Sequence, residues 1–309
     1  MYIGIDLGGT NIAVGLVSND GKVVATSSTS TLAPRDYKEI VADMAKVSNK
    51  LMEENNLTMA DIEGVGIGSP GSIDSKNGVV IAAHNLKWYN APVIDELKKY
   101  FKDIPVAIEN DANAAAYGEY VTTAGDKESF VAVTLGTGVG GGIVLNKKIY
   151  RGINGMGAEL GHIVINEDGV QCSCGTKGCW ESYASVTALI NQTKAAIAAH
   201  PESIMSKDEK VSGRTSFNAA KAGDPVAQQV VNNYIKHIAT GIISLINIFA
   251  PEVLVIGGGI SNEGDYLLNP IKKYVDDCGF FKGVEGTEIR IATLKNDAGI
   301  VGAAFASKM

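Results

Sequence analysis

Phe130-Val-Ala-Val-Thr-Leu135-Gly136-Thr-Gly138-Val-Gly-Gly-Gly142-Ile143-Val-Leu145 is the stretch on which the whole fold turns. Its first six residues are mostly apolar, as in a buried strand. Gly136 to Gly141 then matches G-x-G-x-x-G letter for letter, and Glu159 lies near the place of a ribose-binding acid. A dinucleotide-binding glycine run must open a helix, whose N-terminus holds the pyrophosphate. Here it leads into Ile143-Val144-Leu145, which reads as strand. The stretch is strand, glycine turn from Gly136 to Gly142, strand, and the dinucleotide reading falls. No G-x-x-x-x-G-K-[ST] occurs in the chain, which excludes the P-loop class.

The opening of the chain carries the same pattern. Tyr2 to Asp6 reads as a buried strand, Leu7-Gly8-Gly9-Thr10 as a turn, and Asn11 to Val17 as a second strand. Asn19-Asp20-Gly21 is a hairpin signal leading to a third strand, Lys22 to Ser28. A helix follows Asp36, with Glu39 completing a capping box and Ile40, Met44, Val47 and Leu51 at helical spacing. Ile62 to Gly68 is a strand ending in Ser69-Pro70-Gly71, followed by a loop that contains His84. A helix at Val93 to Phe101, a strand at Val106 to Glu109 and an alanine-rich helix at Ala112 to Tyr120 come next. Beyond the glycine run, Asn146-Lys147-Lys148 turns the chain into a strand at Ile149 and Tyr150. Asp224 caps a long amphipathic helix through Val226, Val230, Tyr234, Ile238, Ile242 and Leu245. A strand at Glu252 to Ile256 runs into Gly257-Gly258-Gly259. A helix at Tyr266 to Asp277, a strand at Glu288 to Ala292 and a helix at Asp297 to Ala306 complete the chain. The pattern is a duplicated β-β-β-α-β-α unit, with the second copy interrupted by an insert.

That insert holds three of the four cysteines, Cys278 being the fourth. Its spacing is His162-x9-Cys172-x-Cys174-x4-Cys179, one imidazole and three thiolates for a tetrahedral, closed and therefore structural zinc site. Cysteines that serve only packing do not bunch in a polar, glycine-rich loop, and four cysteines so placed are no secreted disulfide framework. The net charge of -7 gives no footprint for nucleic acid or an acidic membrane. The N-terminus has no basic leader, and the most apolar helical stretch, Ile238 to Ala250, is too short to span a bilayer. A cytoplasmic protein is expected.

Alone, Leu7 to Thr10 and Gly136 to Gly138 each read rather as plain hairpin turns. Occurring as a pair in repeated context, with a third glycine turn at 257–259, they point to a nucleotide. Glycine amides and threonine hydroxyls suit phosphate oxygens, and Asp6 suits a hydrated Mg²⁺ on those phosphates. Asp111, at a strand end, fits a general base for a hydroxyl that attacks phosphorus, and equally a helix N-cap, a role that Asn110 also fits.

Asp6-Leu-Gly-Gly-Thr10, Glu159-x-Gly-His162 and Cys172-x-Cys-Gly-x-x-Gly-Cys179-x-Glu181 resemble the ROK family of sugar kinases and repressors, over essentially the whole chain. Gly178-Cys-Trp-Glu-Ser-Tyr-Ala-Ser185 looks most like the family's bacterial ATP-dependent glucokinase branch. The resemblance implies a two-domain α/β actin-like (ribonuclease-H-like) ATPase fold around a cleft. The smaller domain would comprise residues 1–117 and 297–309. The larger would comprise 118–296, with the zinc insert at about 157–181. It also implies a nucleotide site of Asp6, Gly8, Gly9, Thr10, Asn11, Gly136, Thr137 and Gly138, with adenosine near Gly257 and Gly258. The implied sugar site is Asn110, Asp111, Glu159, His162 and Glu181, joined by Gly71 and Asn85. In it Asp111 is the base, and His162 gives one ring nitrogen to zinc and the other to the sugar. His200 and His237 are expected to be surface residues. The implied reaction is phosphorylation of glucose by MgATP, in a homodimer. The other readings are a ROK kinase of fructose, N-acetylglucosamine or N-acetylmannosamine, and a non-catalytic sugar sensor. Asp6, Thr10, Thr137 and Asp111 together favour a kinase over a sensor.

Overall fold

The computed structural model describes residues 1–280 and 286–308, which form two compact units. One unit comprises Met1–Phe130, Gly142–Ala158 and the chain from Thr293 onward. The other comprises Val131–Gly141 and Glu159–Ala292. The expected boundary at residues 117 and 118 falls inside a helix, Asp111–Thr123, that belongs wholly to the first unit.

In the first unit, β1 (Tyr2–Leu7), β2 (Asn11–Val17), β3 (Val23–Ser30), β4 (Gly64–Ser69) and, after a smaller sheet, β8 (Val106–Asn110) form a sheet of order β3-β2-β1-β4-β8. β1 runs antiparallel to β2 and parallel to β4, and β4 runs parallel to β8. β4 is buried at every position, as a strand covered on both faces must be, whereas β3 alternates along its length. The helix α1 (Tyr37–Glu54) starts at Asp36, whose side chain accepts from the Lys38 amide, and buries Ile40, Met44 and Leu51 in the same core as Ile3, Ile5 and Val14. The segment after Gly71 differs from the expected loop. It is a three-stranded sheet of β5 (Ser72–Asp74), β6 (Val79–Ala83) and β7 (Trp88–Ala91), with His84 in the β6–β7 turn. The short helix α2 (Val93–Leu97) stops earlier than expected and continues as turns to Phe101.

The helices α3 (Asp111–Thr123) and α9 (Ala298–Ala306) also lie in this unit. They cross so closely that a Cβ on Gly302 would overlap the Ala114 carbonyl, and one on Gly118 the Ala298 carbonyl. Glu119 of α3, 2% exposed, accepts from the Thr293 amide (2.7 Å) and hydroxyl (2.8 Å) and the Leu294 amide (2.9 Å). A buried carboxylate with three donors has its desolvation compensated.

The second sheet has order β11-β10-β9-β12-β13, from β9 (Ser129–Leu135), β10 (Val139–Leu145), β11 (Lys148–Ile149), β12 (Val253–Gly257) and β13 (Glu288–Ile291). This is the order of the first sheet repeated: third, second, first, fourth, fifth. The duplication read from the sequence is therefore real. Its glycine run is strand from Val139, so the turn is only Gly136–Gly138, shorter than expected, and no helix follows it. The helices of the second unit are α4 (Glu181–Ala184), α5 (Val186–Ala199), α6 (Thr215–Lys221), α7 (Pro225–Phe249) and α8 (Asp265–Cys278). Asp224 caps α7 through the Val226 and Ala227 amides, as its sequence position predicts. Among the described residues, no helix is long and apolar enough to cross a membrane.

Candidate active site

The first glycine turn joins β1 to β2. The Gly8 amide donates to the Asn11 carbonyl (2.8 Å), and fully buried Thr31 donates its amide to the Thr10 carbonyl (3.0 Å) and its hydroxyl to the Gly8 carbonyl (2.7 Å). Asp6 lies just before this turn. Burial, and then repulsion from the Asp111 carboxylate, hold its carboxyl above the usual carboxylate range. A half-buried carboxyl beside a second one could hold a cation, the role expected of Asp6. Gly299 is glycine for a local reason: a Cβ there would stand 3.0 Å from the Asp6 carboxylate carbon. Asn85 reaches over the turn, its Nδ2 3.2 Å from where a Cβ on Gly9 would lie.

Asn110 and Asp111 sit at the junction of β8 and α3. Asn110 is the N-cap, its Oδ1 accepting from the Ala112 (3.0 Å) and Asn113 (3.1 Å) amides. Its Nδ2 donates to the Gly71 carbonyl (3.1 Å), so Gly71 and Asn110 meet. Asp111 occupies the first helical position, with Oδ1 accepting from the Ala112 amide (2.8 Å). Sequence reasoning missed Glu109, which lies beneath this junction. Glu109 is 2% exposed, pairs with Arg151 Nε (2.7 Å), and accepts from the Asn110 amide (3.0 Å) and Asn113 Nδ2 (3.2 Å). Arg151 is 42 residues away in sequence, and no local pattern announces the pair.

In the second unit the Gly136 amide donates to the Gly138 carbonyl (2.9 Å), closing the second turn. Gly258 (φ +86°) brings the third glycine turn against the end of β9, where a side chain would overlap the Leu135 carbonyl. Gly257, the last residue of β12, precedes it. Glu181, expected to bind sugar, starts α4, and its Oε2 accepts from the Val139 amide (2.9 Å) beside the second glycine turn.

His162, Cys172, Cys174 and Cys179 converge, their ligand atoms all within 4.8 Å of one another. His162 Nδ1 is 3.8 Å from Cys172 Sγ, and Cys174 Sγ is 3.5 Å from Cys179 Sγ. These separations fit a tetrahedron with Zn–S bonds of about 2.3 Å. Burial and then the neighbouring thiols push the Cys179 thiol up to about 12, while the Thr176 backbone and the neighbouring thiols bring Cys174 down to about 7. One imidazole and three thiols at these distances could hold a metal ion, whose binding would deprotonate the thiols. Nδ1 of His162 faces the sulfurs, which is the arrangement a ring serving two partners requires. Glu159 is exposed, and its carbonyl accepts from the His162 amide (3.0 Å).

The cysteine loop is tied to α7. Fully buried Trp180 donates Nε1 to the His237 carbonyl (2.8 Å) and packs where Gly241 has no side chain. Burying such a ring contributes about 2–3 kcal/mol. The Tyr183 ring lies on the His237 ring at 4.9 Å, and its hydroxyl accepts from the Val170 amide (2.8 Å). His237 is thus half-buried rather than the surface residue expected, because Tyr183 covers it. His200 is exposed as expected, beside Glu202.

A repeated five-stranded order, with a Gly/Thr turn after the first strand of each repeat, defines an ATPase of the actin-like fold. The chain belongs to the ROK family, which residues 2–308 match. It is 39% identical over 308 residues to a glucokinase of Thermotoga maritima, covering 98% of this chain and 95% of the relative. It is 38% identical over 313 residues to a glucokinase of Halalkalibacterium halodurans, covering 99% and 94%. A ROK family glucokinase from Streptomyces griseus, solved in complex with glucose and AMPPNP, superposes with a TM-score of 0.79 at 36% identity, covering 98% of this chain and 97% of that one.

Proposed function

We propose that this protein is an ATP-dependent glucokinase, converting glucose and MgATP to glucose 6-phosphate and ADP. The observation that carries the reading is that Asn110 caps α3, so Asp111 is not needed as the cap and stands at the strand end as the base. In the reaction Asp111 accepts the proton of the sugar's 6-hydroxyl as that oxygen attacks the γ-phosphorus. The bond from the γ-phosphorus to the β–γ bridging oxygen breaks in line, and ADP leaves. The residues proposed to engage the hydroxyls are Gly71, Asn85, Asn110, Asp111, Glu159, His162 and Glu181, since carboxylates and amides suit paired donors. The phosphates lie on Gly8, Gly9, Thr10 and Asn11 and on Gly136, Thr137 and Gly138, with adenosine at Gly257 and Gly258. Mg²⁺ held by Asp6 would neutralise developing phosphate charge.

The metal on His162, Cys172, Cys174 and Cys179 is zinc in a structural role. It orients His162 and the loop that ends in Glu181. Unpaired thiols so close together suit a reducing, cytoplasmic compartment. A homodimer follows from the family resemblance, and light scattering at a monomer mass would refute it. The test of the function is ADP release with MgATP across glucose, mannose, fructose, N-acetylglucosamine and N-acetylmannosamine. A strong preference for glucose is expected. Preference for another of these sugars would keep the kinase and change its substrate, and tight sugar binding with no turnover would favour a sensor.

A further inference from the structure

We propose that the segment Glu181–Thr187 is a brace coupling recognition of the sugar to the shape of the second phosphate turn, with Thr187 as a positioning residue. This rests on the function proposed above. Three hydrogen bonds carry it. The Val139 amide donates to Glu181 Oε2 (2.9 Å), the Val186 amide to the Gly136 carbonyl (2.8 Å), and the Thr187 hydroxyl to the Thr137 carbonyl (2.7 Å). A trans peptide unit is planar, so fixing a carbonyl fixes the amide of the next residue and aims it the opposite way. Holding the Gly136 and Thr137 carbonyls therefore sets the Thr137 and Gly138 amides, two of the donors proposed above for the phosphate oxygens.

The brace is itself anchored. Ala184 and Ser185 are buried, Tyr234 donates its hydroxyl to the Ala184 carbonyl (2.8 Å), and Ser185 caps α5 through the Ala188 amide (3.0 Å). A Cβ on Gly138 would overlap the Glu181 carboxylate, so the turn and the acid are fitted to each other. One Glu181 oxygen is thus engaged with the turn while the carboxylate also receives sugar hydroxyls. A sugar that orders this carboxylate orders the turn, and by reciprocity the nucleotide then tightens sugar binding by the same factor.

The experiment uses the full, zinc-loaded chain. It measures kcat and both KM values, and titrates MgAMPPNP calorimetrically with and without glucose. Thr187 is exposed, so Thr187→Val leaves the core untouched. We expect Thr187→Val to raise KM for MgATP about fivefold while KM for glucose stays within about twofold, and Thr187→Ser to restore it. Glucose should tighten MgAMPPNP binding by about fivefold or more in the wild type and not in Glu181→Gln. An unchanged KM for MgATP in Thr187→Val, or MgAMPPNP affinity indifferent to glucose in the wild type, would overturn the coupling and leave the kinase standing. Absence of sugar phosphorylation by the wild type would remove the kinase and the coupling with it.

Discussion

The two glycine turns occupy the same place in the two repeats and are held in different ways. Aligned by their sheets, Asp6-Leu7-Gly8-Gly9-Thr10 matches Thr134-Leu135-Gly136-Thr137-Gly138. Each turn has its carbonyls pinned by a threonine hydroxyl and a backbone amide. At the first turn both come from Thr31, immediately after β3, in the next hairpin of the same sheet and fully buried. At the second they come from Val186 and Thr187, well along the chain and just after the cysteine loop, with Thr187 exposed. The acid differs too: the first turn follows a carboxylate, and the second has an exposed threonine in its place. Duplication has conserved the device and changed what supplies it. The first turn is held from the core of its own sheet, and the second by an exposed residue of a distant segment.

The carboxylate side of this comparison gives the largest expected effects. Asp111→Ala should lower kcat by about 10³-fold, the scale of a lost general base, with melting temperature nearly unchanged because Asn110 keeps the cap. A small effect on kcat, or a large loss of stability, would return Asp111 to a structural role. Asp6→Asn should lower kcat by about 10²-fold, while Thr134→Ala, at the matching position, should do little. Asp6→Asn should also raise the melting temperature. The pKa of Asp6 is raised in the fold by burial and then by Asp111. Its stabilising contribution is therefore present below the ordinary carboxylate value and lost as pH rises through the raised one. At neutral pH the ionised Asp6 costs stability, and Asn removes that cost. Melting curves from the ordinary carboxylate range up to neutrality test this, and a stabilisation equal at all pH values would contradict it.

The metal loop comes next in size. Cys174→Ser should abolish stoichiometric zinc by elemental analysis and lower the melting temperature of the second unit, since metal affinity of this kind is folding free energy. Full zinc content in the variant would remove Cys174 from the ligand set.

The repeat, its two glycine turns and the cysteine cluster are legible in the sequence; what braces each turn is not. The strand–turn–strand reading at Gly136 needed only the apolar residues after the glycines, and His-x9-Cys-x-Cys-x4-Cys announces its own chemistry because all four ligands lie on one short loop. What was missed has two physical causes. The three-stranded sheet after Gly71 has strands too short for period two to stand out, although Asn77-Gly78 between β5 and β6 was a usable hairpin signal. The other omissions, Glu109 with Arg151, Tyr183 over His237, and Thr187 on Thr137, are contacts between segments far apart in the chain, and periodicity carries no such information. Asn110 and Asp111 were both recognised, but which of them caps α3 depends on side-chain geometry that two adjacent cap-forming residues leave open.

The smallest effect bears most directly on the two braces. Thr31→Val and Thr187→Val delete the same hydroxyl-to-carbonyl bond at matching turns. Thr31 is fully buried and its bond to the Gly8 carbonyl partly so, so less water can take the hydroxyl's place there, and the fold should lose about 1 kcal/mol. Thr187 is exposed, so water replaces its hydroxyl on the Thr137 carbonyl, and stability should change by less than about 0.5 kcal/mol. Chemical denaturation of the two variants side by side measures the difference. Equal losses would mean that both turns are held as parts of a core, whereas a loss confined to Thr31→Val leaves the second turn free to respond to its ligand.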